Sequence, residues 1–129
     1  MTGLTRDQII LLHNVIYERY GGDHGVLNNG MLDSALRAPF QTFCGEDLIP
    51  DTEEKIVRLA FGLIKNHAFR DGNKRIGALV LLTLLKLNGY SLKASNTEFA
   101  DIIMGVAASE NDEKELFEWV VCHIQNIGA

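Results

Sequence analysis

His67-Ala68-Phe69-Arg70-Asp71-Gly72-Asn73-Lys74-Arg75 is the stretch on which the reading of this chain turns. It brings together a histidine, a carboxylate, a Gly-Asn step and two adjacent cations. It also separates two strongly apolar segments of helical period, where a helix is due to begin. Backbone N–H groups at a helix start have no partner within the helix, and the macrodipole there favours negative charge. Gly72 permits a tight turn or the close approach of a ligand. Asn73 suits the cap position. Lys74 and Arg75 add full positive charge to a place already suited to phosphate. Asp71 would repel phosphate on its own, and it makes sense as a ligand of magnesium, which takes one or two carboxylates together with phosphate oxygens. His67 has the one side chain here whose ordinary pKa suits proton abstraction near neutral pH. The chemistry these residues suggest is phosphoryl or nucleotidyl transfer.

The segments on either side set the fold class. Before the motif, Asp51 is placed to cap a helix with Glu53 and Glu54 in its first turn. Ile56, Leu59, Ala60, Leu63 and Ile64 form a one-face stripe along it, which His67 continues. After the motif, a helix from about Asn73 to Leu87 is apolar nearly all round and closes at Asn88-Gly89, which marks the central element of a bundle. Thr5 with Gln8 reads as a capping box opening a helix with Ile9, Leu12, Ile16 and Tyr20 facing inward, stopped by Gly21-Gly22. Residues 21 to 30 form a glycine-rich loop, and a short helix from Met31 to Arg37 ends before Pro39. Phe40 to Pro50 reads as an exposed loop or short hairpin. Ser95 with Glu98 and Asp112 with Glu115 open two more helices. The first carries Phe99, Ile102, Ile103 and Val106 inward, and the second Leu116, Trp119, Val120 and His123 or Ile124. No repeat, linker or low-complexity segment interrupts the pattern. The expectation is an all-α bundle of about six to seven helices in a single domain over residues 1–129, with the motif loop between its two central helices.

Composition agrees with such a domain: 47% hydrophobic and 22% charged residues are ordinary for a globular protein. The net charge of −5 sets the surface as a whole against nucleic acid and acidic membranes. The local cluster of Lys65, Arg70, Lys74 and Arg75 is informative because it runs against that sign. Cys44 and Cys122 have neither metal-ligand spacing nor a disulfide framework, and read as buried thiols in a reducing compartment. Met1 to Arg6 lacks the pattern of an export signal, and Ile76 to Leu85 is too short an apolar run to cross a bilayer. A cytoplasmic location is expected.

Each motif residue has a plainer alternative. His67 could be a core histidine, Asn73 only a cap, Gly72 only a turn residue, and Lys74 and Arg75 solvated charges. The last is the weakest, because the dipole at a helix start disfavours cations and a bound anion would offset that cost. His13 and His123 lie on helices and read as structural. No histidine pairs with Cys or Asp at metal-ligand spacing, and no serine has the setting of a hydrolase nucleophile. Gly21-Gly22-x-x-Gly25 mimics a phosphate loop but follows a helix where such a loop follows a strand.

The motif resembles the signature H-x-F-x-(D/E)-(G/A)-N-(G/K)-R of the Fic (filamentation induced by cAMP) and Doc (death on curing) superfamily. Leu11-Leu12-His13, Arg19-Tyr20-Gly21-Gly22, Gly30-Met31-Leu32-Asp33-Ser34-Ala35-Leu36 and Leu87-Asn88-Gly89-Tyr90 are similar to the death-on-curing branch, so the resemblance spans essentially the whole chain. It implies a helical bundle that uses ATP and magnesium for transfer to a protein hydroxyl. Fic adenylylators resemble H-P-F-x-x-G-N-G-R-x-x-R, whereas this chain has Lys74 for the last glycine of that loop and Ala78 for the second arginine. The death-on-curing branch carries the lysine and is similar to a kinase that phosphorylates a threonine of elongation factor Tu. The resemblance thus implies a toxin that blocks translation. His67 would be the base and Asp71 the magnesium ligand. Asn73, Lys74 and Arg75 would hold phosphate, with Lys65 contributing charge, Gly72 giving backbone access and Phe69 anchoring the loop. Lys65 stands where the branch has an arginine and Gly72 where it has alanine. Lysine keeps the charge but not the bidentate geometry, and Gly72 leans towards the adenylylating loop, so protein adenylylation is the enzymatic alternative. A non-catalytic phosphate-binding module is the second, opposed by the intact His67 and Asp71. Thr42-Phe43-Cys44-Gly45-Glu46 comes nearest to the family's inhibitory helix pattern, but Gly45 and Asp47 make it a chance match. A separate cognate antitoxin that folds on binding is therefore implied.

Overall fold

Helix starts in this chain are set largely by side chains that satisfy the first free N–H groups. The computed structural model describes residues 1–127. Its helices are α1 (Arg6–Tyr20), α2 (Asn29–Arg37), α3 (Thr52–Lys65), α4 (Asn73–Leu87), α5 (Asn96–Ala107) and α6 (Glu113–His123). Thr5 with Gln8, Ser95 with Glu98 and Asp112 with Glu115 form the reciprocal capping boxes that the sequence announces. In the second of these the Ser95 backbone N–H and then its hydroxyl hold the Glu98 carboxyl below the usual glutamate range. Asn28 caps α2 by accepting from the Met31 N–H at 3.0 Å, which starts that helix two residues before its expected limit. A single 3₁₀ turn, Ala38–Phe40, carries α2 into Pro39. The all-α class expected from periodicity is the class observed.

The core is centred on the crossing of α3 and α4. Ile56, Leu59, Leu63 and Ile64 of α3 and Ile76, Val80, Leu81 and Leu84 of α4 are buried there. Each such side chain contributes roughly 1.5–3 kcal/mol by leaving water. Gly77 lets the two helices close on each other: a Cβ at that position would run into the Ile64 side chain and sit 3.1 Å from the Ala60 carbonyl oxygen. Around the pair, Ile9 and Ile16 of α1, Leu32 and Ala35 of α2, Ile103 and Val106 of α5, and Leu116 and Val120 of α6 join one continuous cluster.

Several details differ from the periodic reading. On α1 the buried residues are Ile9, His13 and Ile16, while Leu12 is half-buried and Tyr20 is exposed. The buried set follows the spacing i, i+4, i+7 and extends inward only as far as α4 and the motif loop reach. Cys44 and Cys122 are free thiols, as expected, but exposed and not buried. Cys44 sits at φ 53 beside Gly45 at φ 80, in the two-residue turn of a hairpin formed by β1 (Thr42–Phe43) and β2 (Glu46–Asp47). Positive φ at both turn residues is what such a tight hairpin demands. The segment nearest to the inhibitory pattern is therefore strand and turn. Cys122 lies on the outer side of α6. A second pair, β3 (Tyr90–Leu92) with β4 (Ile124–Asn126), runs antiparallel and ties the end of α4 to the end of α6. Three residues are too few to show alternation, so this pairing leaves no mark in the residue pattern. Among the described residues no helix is long and apolar enough to cross a membrane.

Candidate active site

α3 stops at Lys65, and the Asn66 N–H closes its last turn on Gly62 O at 2.8 Å. His67 then takes φ 52, the left-handed region, which costs a non-glycine residue about 1–2 kcal/mol. This turn ends the helical stripe before His67 can join it. The ring of His67 is exposed, and Ala68 and Phe69 enter the core in its place. The expectation that His67 continues the inward face is thus corrected, and the core-histidine alternative falls with it.

Phe69, 1% exposed, is the anchor of the loop. Its ring stacks on His13 with centroids 3.9 Å apart and planes 13° from parallel. Its backbone N–H donates to Asn73 Oδ1 and its carbonyl accepts from Asn73 Nδ2, both at 3.1 Å. The glycine-rich loop straps the other side. Leu27 and Asn28 N–H groups donate to Ala68 O at 2.8 and 3.0 Å, and Arg70 N–H donates to Gly25 O at 3.0 Å. Val26 and Phe69 form an isolated antiparallel bridge.

His13 secures the next residue. It is 2% exposed, and its Nε2 lies 2.7 Å from Asp71 O. A carbonyl only accepts, so Nε2 carries the proton. Asp71 turns one oxygen to the Gly72 N–H at 2.8 Å and packs the other against Gly22, where a side chain would have no room. Gly72, at φ 74 and ψ 21, occupies the N-cap of α4. Asn73, expected at the cap, is instead the first helical residue, and its amide group is committed to the backbone of Phe69. The α4 ladder begins with Ile76 N–H to Gly72 O at 2.9 Å. Gly72 has no side chain with which to cap the N–H groups of Asn73, Lys74 and Arg75.

This helix start opens on a groove of about 1000 Å³. His67, Arg70, Asp71, Lys74 and Arg75 form its polar wall, with Gly72, Asn73 and Ala78 behind them. Phe99, Ile103 and Met104 of α5 form the apolar wall opposite. Among the described residues no ion pair engages His67, Arg70, Asp71, Lys74 or Arg75. The Arg75 guanidinium lies over the ring of Tyr20, 4.1 Å from its centroid. Lys65 does not join the groove. Its ammonium donates to Ser109 Oγ, tying the end of α3 to the corner after α5.

Sequence reasoning thus found the residues that meet in the polar wall, together with Lys65, which stands apart. It missed the apolar wall, the strap and the part played by His13. Phe99 and Ile103 read as ordinary core positions, and the strap acts through backbone atoms, which leave no side-chain signature. His13 was legible only as a histidine on an apolar helix face.

Fold and site together define a class: a small all-helical domain that presents a histidine, a carboxylate and adjacent cations to a groove from the loop between its two central helices and the helix start that follows. The Fic/DOC family model matches residues 3–85. Toxin Doc of Mycolicibacterium smegmatis is 31% identical over 109 residues, which cover 84% of this chain and 82% of that protein. Protein kinase doc of Escherichia phage P1 is 29% identical over 110 residues, covering 85% of this chain and 86% of that protein. The chain belongs to the Fic/DOC family, on its Doc toxin branch.

Proposed function

We propose that the chain is the toxin of a toxin–antitoxin pair and transfers the γ-phosphoryl group of ATP to a Ser or Thr hydroxyl of a translation factor similar to elongation factor Tu. The observation that carries this reading is Lys74, exposed on the groove wall at an uncapped helix start, with Ala78 one turn on. The Lys74 side chain would crowd the close approach that an α-phosphate needs in adenylyl transfer, and Ala78 offers no second cation. The N–H groups and side chains of Lys74 and Arg75 hold the outer phosphates and meet the charge that spreads over the departing group. His67, exposed in the groove, takes the proton of the target hydroxyl as its oxygen bonds to phosphorus and the bond to the β-phosphate oxygen breaks. Asp71, with no ion-pair partner among the described residues, fits a magnesium ligand, and bound magnesium would neutralise phosphate charge. Support also comes from relatives named as a toxin and as a protein kinase.

A toxin of this kind works in the cytoplasm, where ATP and translation factors are, and needs neither membrane nor nucleic-acid contact. Its cognate antitoxin would cover the groove. Protein adenylylation remains the second reading because Gly72, at φ 74, is the glycine of the adenylylating loop. Intact-mass measurement of elongation factor Tu after incubation with the chain, ATP and magnesium separates the two. Addition of one phosphate is expected, and addition of one adenosine monophosphate would replace the kinase reading with the other.

A further inference from the structure

The last residue of α1 is an aromatic that the core does not use. Tyr20 is 55% exposed and stands outside the buried cluster. Its ring face is nonetheless occupied, by the guanidinium of Arg75 at 4.1 Å. Arg75 borders both the main groove and a small cleft that it shares with Tyr20, Gly22 and Asp71. Tyr20 follows His13 by seven residues, two turns along the same side of α1. One rigid helix thus reaches the motif twice, through His13 on the Asp71 carbonyl and through Tyr20 on the Arg75 side chain.

The kind of partner matters. A carboxylate beside Arg75 would engage its N–H donors and cancel its charge. An aromatic face takes up only the flat face of the guanidinium and leaves the donors around its edge free, with the charge intact. We infer that Tyr20 is a positioning residue for the nucleotide phosphates: its ring holds the Arg75 guanidinium at the junction of cleft and groove, with the donor edge ready for phosphate oxygens. The exposed arginine is then ordered before the ligand arrives, so binding loses less side-chain freedom. This inference rests on the reading of the α4 start as a phosphate site.

Calorimetric titration of ATP with magnesium into the full chain, Tyr20→Phe, Tyr20→Leu, Arg75→Ala and the Tyr20→Leu/Arg75→Ala double variant tests it. Tyr20→Leu should weaken binding by about two- to five-fold, the equivalent of about 0.5–1 kcal/mol for an exposed cation–π pair at 1.4 kcal/mol per tenfold. Tyr20→Phe, which keeps the ring face, should bind like the unmodified chain. In the Arg75→Ala background, Tyr20→Leu should have no further effect. Unweakened binding by Tyr20→Leu, with Arg75→Ala clearly weaker, would overturn the role of Tyr20 alone. A Tyr20→Leu loss that persists without Arg75, or that accompanies a lower melting temperature, would mark Tyr20 as merely structural and overturn it too. Binding unchanged by Arg75→Ala would remove both this inference and the assignment of Arg75 to phosphate.

Discussion

At the scale of single residues, the site depends on a few side chains held where a core would not put them. His67 is exposed because its backbone turns into the left-handed region one residue after the α3 cap, and that strain is sustained by the burial of Ala68 and Phe69 behind it. The ring therefore contributes nothing to the hydrophobic cluster. Replacing it by alanine should cut transfer by roughly 10²–10⁴-fold, the usual worth of a general base. The melting temperature and circular dichroism should not change. Parallel loss of fold and activity would show that His67 supports the loop. Asn73 carries a different lesson. Its amide is bonded at both ends to the backbone of Phe69, so its side chain shapes the loop while its backbone N–H belongs to the helix start.

At the scale of elements, the position of the motif depends on how closely α3 and α4 cross. The loop between them is short, so a shift of either helix moves His67 relative to Lys74. Gly77 is the point of closest approach, with the Ala60 carbonyl oxygen 3.1 Å from where a Cβ would stand and the Ile64 side chain in the way. Gly77→Ala should gain about 1 kcal/mol in helix propensity. Overpacking costs typically about 1–3 kcal/mol, and backbone can give less than a side chain, so a net loss is expected. A lower melting temperature, accompanied by reduced activity, is the outcome to look for. A variant as stable as the parent would mean that the crossing is looser than the structure has it.

At the scale of the whole molecule, charge is arranged against its own average. The net charge is −5, yet Arg70, Lys74 and Arg75 stand together on one groove wall without ion-pair partners among the described residues. An anion in this groove lies against three cations while the opposing negative charge is spread over the rest of the surface, so attraction dominates at the site. Affinity for ATP with magnesium should therefore fall as sodium chloride is raised from about 0.01 M to 0.15 M, a range over which the Debye length shrinks from roughly 30 Å to 8 Å. Calorimetry across that range checks it, and salt-independent binding would mean that the cations of the groove are not what holds the nucleotide.

The sequence by itself determined the helices, the capping boxes of α1, α5 and α6, and the motif. Capping boxes and apolar periodicity act within a few residues, so Thr5, Ser95 and Asp112 could be read locally, as could the stop at Gly21-Gly22. The grouping of His67, Asp71, Gly72, Lys74 and Arg75 was legible for the same reason, since a nine-residue stretch keeps its members close together. Only the tertiary structure decided which way they face. His67 turned outward against its helical stripe because Ala68 and Phe69 had a pocket between His13 and the strap to fill. Gly72 took the cap because Asn73 was drawn to the Phe69 backbone, and Lys65 left the site for Ser109. Those outcomes depend on α1, the glycine-rich loop and the α5 corner, segments far from the motif in sequence. Contacts of that range are set by packing, and local periodicity carries no record of them.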